Sequence, residues 1–285
     1  MAIDAHTTLC CIIGDPVEHS ISPQIHNAAY ARLGLNFTYL ALPVKNVKDA
    51  VRGIAALGIR GASVTMPHKQ AIIPYLDRLD PLAQKIGAVN TVVNEGGKLI
   101  GYNTDGEAAY LSLRENKINI TGKKIVLMGA GGAARSIAFT LATKREAGEL
   151  VIFDLVDKRS QALAAEVSAR TKARAQSAHL SEHILASELG NAAVVINASP
   201  IGMRPKVNLT PIPKKLLHKG LAVFDIVYNP PLTRLLKDAQ KAGCRTVPGL
   251  QMLVRQAGEQ FRLFTGKNPP LEVMFRAGRN ALGQK

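Results

Sequence analysis

The segment KKIVLMGAGGAARSIAFTLATK, residues 123–144, constrains the fold of this chain more than any other. A short apolar run reads as a buried strand, a glycine-rich turn follows at once, and small and apolar residues then recur at helical spacing. Gly129, Ala130, Gly131, Gly132, Ala133 and Ala134 fit G-x-G-x-x-A. In a strand–turn–helix unit those glycines permit a tight turn and close backbone approach, and the helix N-terminus is aimed at an anion such as a pyrophosphate. The next strand, ELVIFD, closes on Asp154, which lies about 20 positions beyond the glycines, where this motif asks for an acidic residue. A carboxylate there accepts hydrogen bonds from both ribose hydroxyls of NAD and repels a 2′-phosphate. NAD is therefore the expected cofactor and NADP the weaker one. Arg159 is near enough in sequence to stack on adenine or to reach a phosphate. The plainer reading of Asp154 is an N-cap for the following helix.

The unit repeats. After KKIVLMG, GGAARSIAFTLATK and ELVIFD come the helix DKRSQALAAEVSAR, the strands AAVVINAS and LAVFDIVY, and the helix LTRLLKDAQKAG. The first hundred residues alternate in the same way: strand TLCCIIG, helix SPQIHNAAYARLG with Ser22 as N-cap and Gly34 at its end, strand FTYLALPV, helix VKDAVRGIAALG, strand GASVTM. AVNTVVNEGGKLIGYN reads as a hairpin turning at Glu95–Gly96–Gly97. Such alternation argues for mainly parallel α/β layers. The seam between the two series falls near residues 105–122, and a long amphipathic stretch, LQMLVRQAGEQFRLFTG, comes near the end.

Composition narrows the function classes. Hydrophobic residues make up 47% and charged residues 20% of the 285, the balance of a soluble globular protein. Cys10, Cys11 and Cys244 supply neither a disulfide framework nor a CxxC clamp, and a reducing cytoplasm is the expected setting. No apolar run approaches the roughly 20 residues needed to cross a bilayer, and the start of the chain lacks the charge pattern of a signal peptide. The formal net charge of +15 is scattered rather than gathered into runs with aromatics, and there is no tryptophan. It reads as solvated surface that attracts anionic small molecules, without a nucleic-acid or membrane partner. His19, His26 and His68 match no metal-ligand spacing, so no metal is expected.

GASVTMPHK places His68 and Lys69 directly after a strand end, and YNTDG places Asp105 after another. Read alone, Lys69 is a solvated turn residue or, beside a nicotinamide, an acid/base for an alcohol. Asp105 is a helix or turn cap, or the partner that holds such a lysine. At this point the chain resembles the shikimate and quinate/shikimate dehydrogenases. The blocks GDPVEHSISPQIHNAA, GASVTMPHK, GAVNTVV, GYNTDG, GAGGAAR, NASPIGM and GLQMLVRQA stand in that family's order, from Cys11 to about Gly266.

The resemblance implies an α/β chain of two domains. A substrate domain, residues 1–105 plus 250–285, is completed by C-terminal helices, and a Rossmann domain with a doubly wound parallel sheet, residues 106–249, is inserted between. It implies Lys69 as the catalytic lysine and Asp105 as its partner. Ser20 and Ser22 would bind a substrate carboxylate, and Thr65, Asn90, Tyr228 and Gln256 would contact carboxylate or ring hydroxyls. Ser199 would bind cofactor, and Ile226 and Gly249 would line the nicotinamide. The NADP-linked branch carries Asn-Arg-Thr where this chain has Asp154-Leu155-Val156, so the likeness is to the NAD-linked branch. Serine at position 22, where quinate users often have threonine, favours shikimate, with quinate as the alternative. A catabolic quinate dehydrogenase and a non-catalytic binder of these acids are the rival readings. A monomer or homodimer is expected.

Overall fold

Strands form where apolar runs are covered on both faces, and the segments between them supply the covering helices. The computed structural model describes residues 3–144 and 147–284. In it β1 (Thr8–Gly14), α1 (Ser22–Arg32), β2 (Phe37–Pro43), α2 (Val47–Ala56) and β3 (Gly61–Val64) form a run with all three strands parallel. The chain continues through α3 (His68–Ala71), β4 (Arg78–Leu79), α4 (Pro81–Ile86), β5 (Thr91–Glu95) and β6 (Lys98–Tyr102). The sheet order is β2-β1-β3-β5-β6-β4, with β5 antiparallel to both its neighbours. Gly96 and Gly97, at φ 62° and 92°, form the two-residue turn of the β5–β6 hairpin, a left-handed pair that side-chain-bearing residues adopt at a cost.

The second sheet is wholly parallel. Its elements are α5 (Asp105–Glu115), β7 (Lys123–Met128), α6 (Gly132–Thr143), β8 (Ala147–Phe153), α7 (Asp157–Arg170), β9 (Arg174–Ser177), α8 (Glu182–Gly190), β10 (Val194–Asn197), β11 (Ala222–Asp225), α9 (Arg234–Lys241) and β12 (Arg245–Pro248). The strand order β12-β11-β10-β7-β8-β9 is that of the dinucleotide-binding fold, with its topological switch between β7 and β10. Val126, Val151, Val195 and Val223 face Leu185, Leu189, Leu235 and Leu236 in its core. Two helices close the chain, α10 (Gly249–Thr265) and α11 (Leu271–Ala281). The chain divides into two compact units, one holding Thr104 and what precedes it together with Val254 onward, the other running from Asp105 to Leu253. Within the first unit α11 packs on α1.

One local expectation is corrected. Ser22 is not the N-cap of α1; that position is Ile21, and Ser22 already lies inside the helix. The hydroxyl of Ser20 accepts the Ser22 N–H at 3.2 Å, so the serine two residues earlier takes an orphan amide and the helix starts early. Gly34 does end it, at φ 63°.

Candidate active site

In the second unit, strand register assembles the site. Phe153, Met128, Asn197, Asp225 and Pro248 lie in one row across β8, β7, β10, β11 and β12. The residues that follow are Asp154, Gly129, Ala198, Ile226 and Gly249, so five loops leave the sheet along one carboxyl edge. In this fold that edge binds the ligand.

The glycine loop is built for close approach. Gly129 sits at φ 106°, and a Cβ there would lie 2.9 Å from the Ala198 carbonyl oxygen. Gly131, the N-cap of α6, has an ordinary φ of −77° and no side chain to cap the helix. A Cβ added to Gly131 would meet nothing within 4 Å. Space over that glycine and the uncapped amides of Gly132 and Ala133 suit a pyrophosphate. Arg135 turns inward instead, with both terminal nitrogens on Glu166.

Asp154 is held by two backbone amides. Its Oδ2 accepts the Ala130 N–H at 2.8 Å and its Oδ1 the Val156 N–H at 2.9 Å. The reading of Asp154 as a cap for α7 is set aside, because the N-cap of that helix is Val156 and no side chain caps it. Leu155 and Val156 are exposed beside it, and Arg159 is exposed in the first turn of α7. Near this edge Asp157 meets His179 Nδ1 at 2.7 Å.

Gly249 and Ile226 touch: a Cβ on Gly249 would fall 2.4 Å from the Ile226 carbonyl oxygen. Beneath them runs a network that sequence reading missed. Asn197 Nδ2 donates to Asp225 Oδ1 at 3.0 Å, and Thr233 Oγ1 donates to Asp225 Oδ2 at 2.6 Å. Ser199 donates its hydroxyl to Asn197 Oδ1 at 2.6 Å, which fixes the loop after β10. Burial pushes the Asp225 carboxyl up to about 6, with its three hydrogen bonds acting the other way. The only sequence signal for these residues was that Asn197 opens the quoted block NASPIGM and Asp225 lies within the strand LAVFDIVY. Tyr228 is half-buried, and burial pushes its phenol up. Asp105 opens α5 and is buried, at a helix N-terminus that favours a carboxylate.

The first unit gathers the other candidates. Thr65 follows β3 against Gly14, where an added Cβ would lie 2.3 Å from Thr65 Cγ2. Val64 donates its N–H to the Asn90 carbonyl at 2.7 Å, and Val89 donates to the Lys69 carbonyl at 2.7 Å. The start of α3 and the strand entry at Asn90 are thus tied at one sheet edge, with Lys69 half-buried. His68 is buried, its Nε2 at 2.6 Å from the Val44 carbonyl oxygen, which anchors the turn that carries Lys69. Asn90 is 2% exposed and Gln256 9%. Thr104 joins them: its N–H donates to Asn90 Oδ1 at 2.9 Å and its hydroxyl to the Gln256 carbonyl at 3.3 Å. Ser20 and Ser22 sit where β1 passes into α1. Among the described residues no group of three or more His, Cys, Asp or Glu could hold a metal ion, and no helix is long and apolar enough to cross a membrane.

Residues 12–92 match the family model of the shikimate dehydrogenase substrate binding domain, and residues 249–277 that of the shikimate 5′-dehydrogenase C-terminal domain. A relative from Moorella thermoacetica named shikimate dehydrogenase (NADP(+)) is 45% identical, over 99% of this chain and 96% of that protein. A shikimate dehydrogenase solved in complex with NADP+ superposes with a TM-score of 0.93 at 40% identity, covering 99% of this chain and 98% of that one. Shikimate 5-dehydrogenase from Listeria monocytogenes, solved with shikimate and NAD, gives 0.88 at 38% identity, covering 96% and 97%. Likeness of this extent, on a fold that carries the glycine loop and the Lys69 and Asp105 motifs in order, shows that the chain belongs to the shikimate dehydrogenase family, oxidoreductases that act on a CH–OH group.

Proposed function

We propose that the protein interconverts shikimate and 3-dehydroshikimate, with NAD preferred over NADP and quinate as a secondary substrate. The observation that carries the reading is the tie between Lys69 and Asn90, through Val89 N–H and the Lys69 carbonyl, at the edge that also holds Thr65. A small acid with several ring hydroxyls needs amide, hydroxyl and amine groups at one place, and the first unit supplies them. The nicotinamide supplies the hydride acceptor, and in reverse the donor. Lys69 takes the hydroxyl proton as hydride leaves carbon, and returns it to the forming alkoxide in the other direction. Asp105 is assigned by its motif to orient that amine. Ser20 and Ser22 are assigned the carboxylate, and Asn90, Thr65, Gln256 and Tyr228 the ring hydroxyls or the carboxylate.

Asp154 carries the NAD assignment. A carboxylate has about four lone-pair sites, and two are engaged by Ala130 and Val156, which leaves acceptors for ribose hydroxyls. A 2′-phosphate would meet that negative charge beside Leu155 and Val156, where an NADP site offers arginine. The Moorella relative is named for NADP, and the Listeria protein was solved with NAD, so the preference rests on this chain's own residues.

Initial rates of cofactor reduction with shikimate and with quinate, each paired with NAD and with NADP at mildly alkaline pH, test the proposal. Turnover of shikimate fastest with NAD is the expected result. Preference for NADP would overturn the role of Asp154, preference for quinate would overturn the substrate, and binding without turnover would overturn catalysis.

A further inference from the structure

Asn90 does not stand alone: it is a link in a chain of hydrogen bonds that runs in one direction through the core of the first unit. The Tyr39 hydroxyl donates to Ser63 Oγ at 2.6 Å, and Ser63 donates to Gln260 Oε1 at 2.8 Å. Gln260 Nε2 donates to the Asn90 carbonyl at 3.2 Å and to Thr91 Oγ1 at 3.0 Å. Thr91 Oγ1 passes its own proton to Asn90 Oδ1 at 2.7 Å. Asn90 Nδ2 donates to Thr104 Oγ1 at 2.9 Å, and the Thr104 hydroxyl donates onward to the Gln256 carbonyl at 3.3 Å.

Two backbone groups remove any ambiguity of direction. A carbonyl only accepts, so the bond to the Asn90 carbonyl fixes which end of the Gln260 amide is nitrogen. A backbone N–H only donates, so the Thr104 N–H fixes which end of the Asn90 amide is oxygen. With those ends fixed, the Tyr39, Ser63 and Thr91 hydroxyls each have one orientation that satisfies their neighbours, and the Thr104 hydroxyl is shared between the Gln256 carbonyl at 3.3 Å and Asn90 Oδ1 at 3.4 Å. All six side chains are buried, with Tyr39 and Thr91 at 0% and Gln260 at 1% exposure, so water does not compete for them. His26 stacks flat on the Tyr39 ring, centroids 4.2 Å apart, and steadies the head of the chain. In a low-dielectric interior such linked bonds polarise one another, and a buried group left unpaired is costly.

We propose that Gln260, acting through Thr91, is a positioning residue for substrate binding: it holds Asn90 Oδ1 toward the protein and so fixes the face that the Asn90 amide turns to the substrate. The proposal rests on the reading of Asn90 as a substrate-contacting residue. Gln260 meets Asn90 only at its backbone carbonyl; through Thr91 it adds to the hold that the Thr104 N–H has on Asn90 Oδ1, and so works against the flipped rotamer. The motif blocks do not mark it, because on α10 it lies one helical turn beyond Gln256 and reads as an ordinary polar residue of an amphipathic helix.

Thr91→Val tests it, since it keeps the shape and removes the one hydroxyl that links Gln260 to Asn90 Oδ1. Calorimetric binding of shikimate to the protein and steady-state kinetics should show Kd and KM for shikimate raised about 3- to 10-fold, the loss of one buried bond. The melting temperature should fall, because Gln260 Nε2 loses a buried acceptor, but the KM for NAD should stay near wild type, which a general loss of structure would not allow. Thr91→Ser, which restores the hydroxyl, should recover most of the loss. Gln260→Leu should act in the same direction, and the double variant should be no worse than the poorer single one; this pair decides the question if Thr91→Val fails to fold. Asn90→Ala is run beside them. If Asn90→Ala weakens shikimate binding while Thr91→Val and Gln260→Leu leave it unchanged, the positioning role is overturned. If Asn90→Ala itself has no effect, the reading of Asn90 fails and this proposal with it.

Discussion

Asp154 Oδ2 accepts the Ala130 N–H at 2.8 Å, so the residue assigned to select the cofactor also fastens the glycine loop. Its other oxygen holds Val156 N–H at 2.9 Å. Asp154→Asn keeps one acceptor oxygen for two donors and sets an NH2 group against the other. The expected result is weaker NADH binding together with a ratio of NADPH to NADH affinity that moves toward unity by about 10-fold, the scale of one charge-assisted bond. Fluorescence titration of both reduced cofactors reads it. A ratio that does not change would leave Asp154 as a fastener of the loop and nothing more.

Gly131 and Gly129 separate ligand approach from folding. Gly131→Ala adds a methyl into open space at an ordinary φ, so the melting temperature should hold. If a pyrophosphate lies over that glycine, Kd for NADH and NADPH should both rise by about 10-fold or more, a steric cost that ignores the 2′-phosphate. Gly129→Ala should instead cost stability, because its φ of 106° and the Ala198 oxygen 2.9 Å away leave no room for a methyl. Unchanged cofactor affinity in Gly131→Ala would place the pyrophosphate elsewhere.

The parts that were legible in the sequence are those where one short window carries the whole physical cause. The strand, glycine turn and helix at residues 123–144 need only their own residues, and so does the Gly96–Gly97 hairpin. The edge strands β9 and β12, four residues each, escaped because neither has an apolar run of useful length; an edge position also tolerates Pro248 at the end of β12. Ser22 was misread as a cap because the helix already includes it and Ser20 takes its N–H, and spacing alone does not say which serine precedes the first turn. The hold of Asp154 on Ala130, the Asn197–Asp225 bond and the role of Gln260 depend on contacts across 24 to 197 positions, such as Ser63 with Gln260, and no local pattern encodes those.

Lys69 holds the strand entry at Val89 through its backbone carbonyl, which a side-chain truncation leaves in place. Lys69→Ala should therefore fold and melt like wild type while kcat falls by about 10²–10⁴, the usual worth of a general acid/base. Cofactor affinity should be unchanged, since the glycine loop and Asp154 belong to the other unit. A fall of less than about tenfold would overturn the assignment.

His26 and Asp225 give the protein two buried titrating groups that pull stability in opposite directions. Burial holds the His26 imidazole down at about 3, below its ordinary 6.5, and among the described residues no hydrogen bond of normal geometry reaches either ring nitrogen. The unfolded chain then binds the proton more tightly, so stability from this group is present above about 6.5 and is lost as pH falls toward 3, on the order of 2 kcal/mol by about pH 5. Asp225 is raised from 3.8 to about 6, so here the folded chain binds the proton more tightly. Its contribution falls as pH rises from about 4 to 6, by on the order of 2–3 kcal/mol in all, and that cost is complete above 6. The windows overlap, and wild type should show a flatter acid limb than either group alone would give. His26→Phe keeps the stack on Tyr39 and removes one term, so its stability should fall steadily as pH rises from 4 to 6 under the remaining Asp225. Asp225→Asn removes the other, and its stability should climb over the same range under His26. Denaturant melts of the two variants between about pH 4 and 7 read these slopes. Slopes of the same sign in both would show that one of these groups does not titrate as its burial requires.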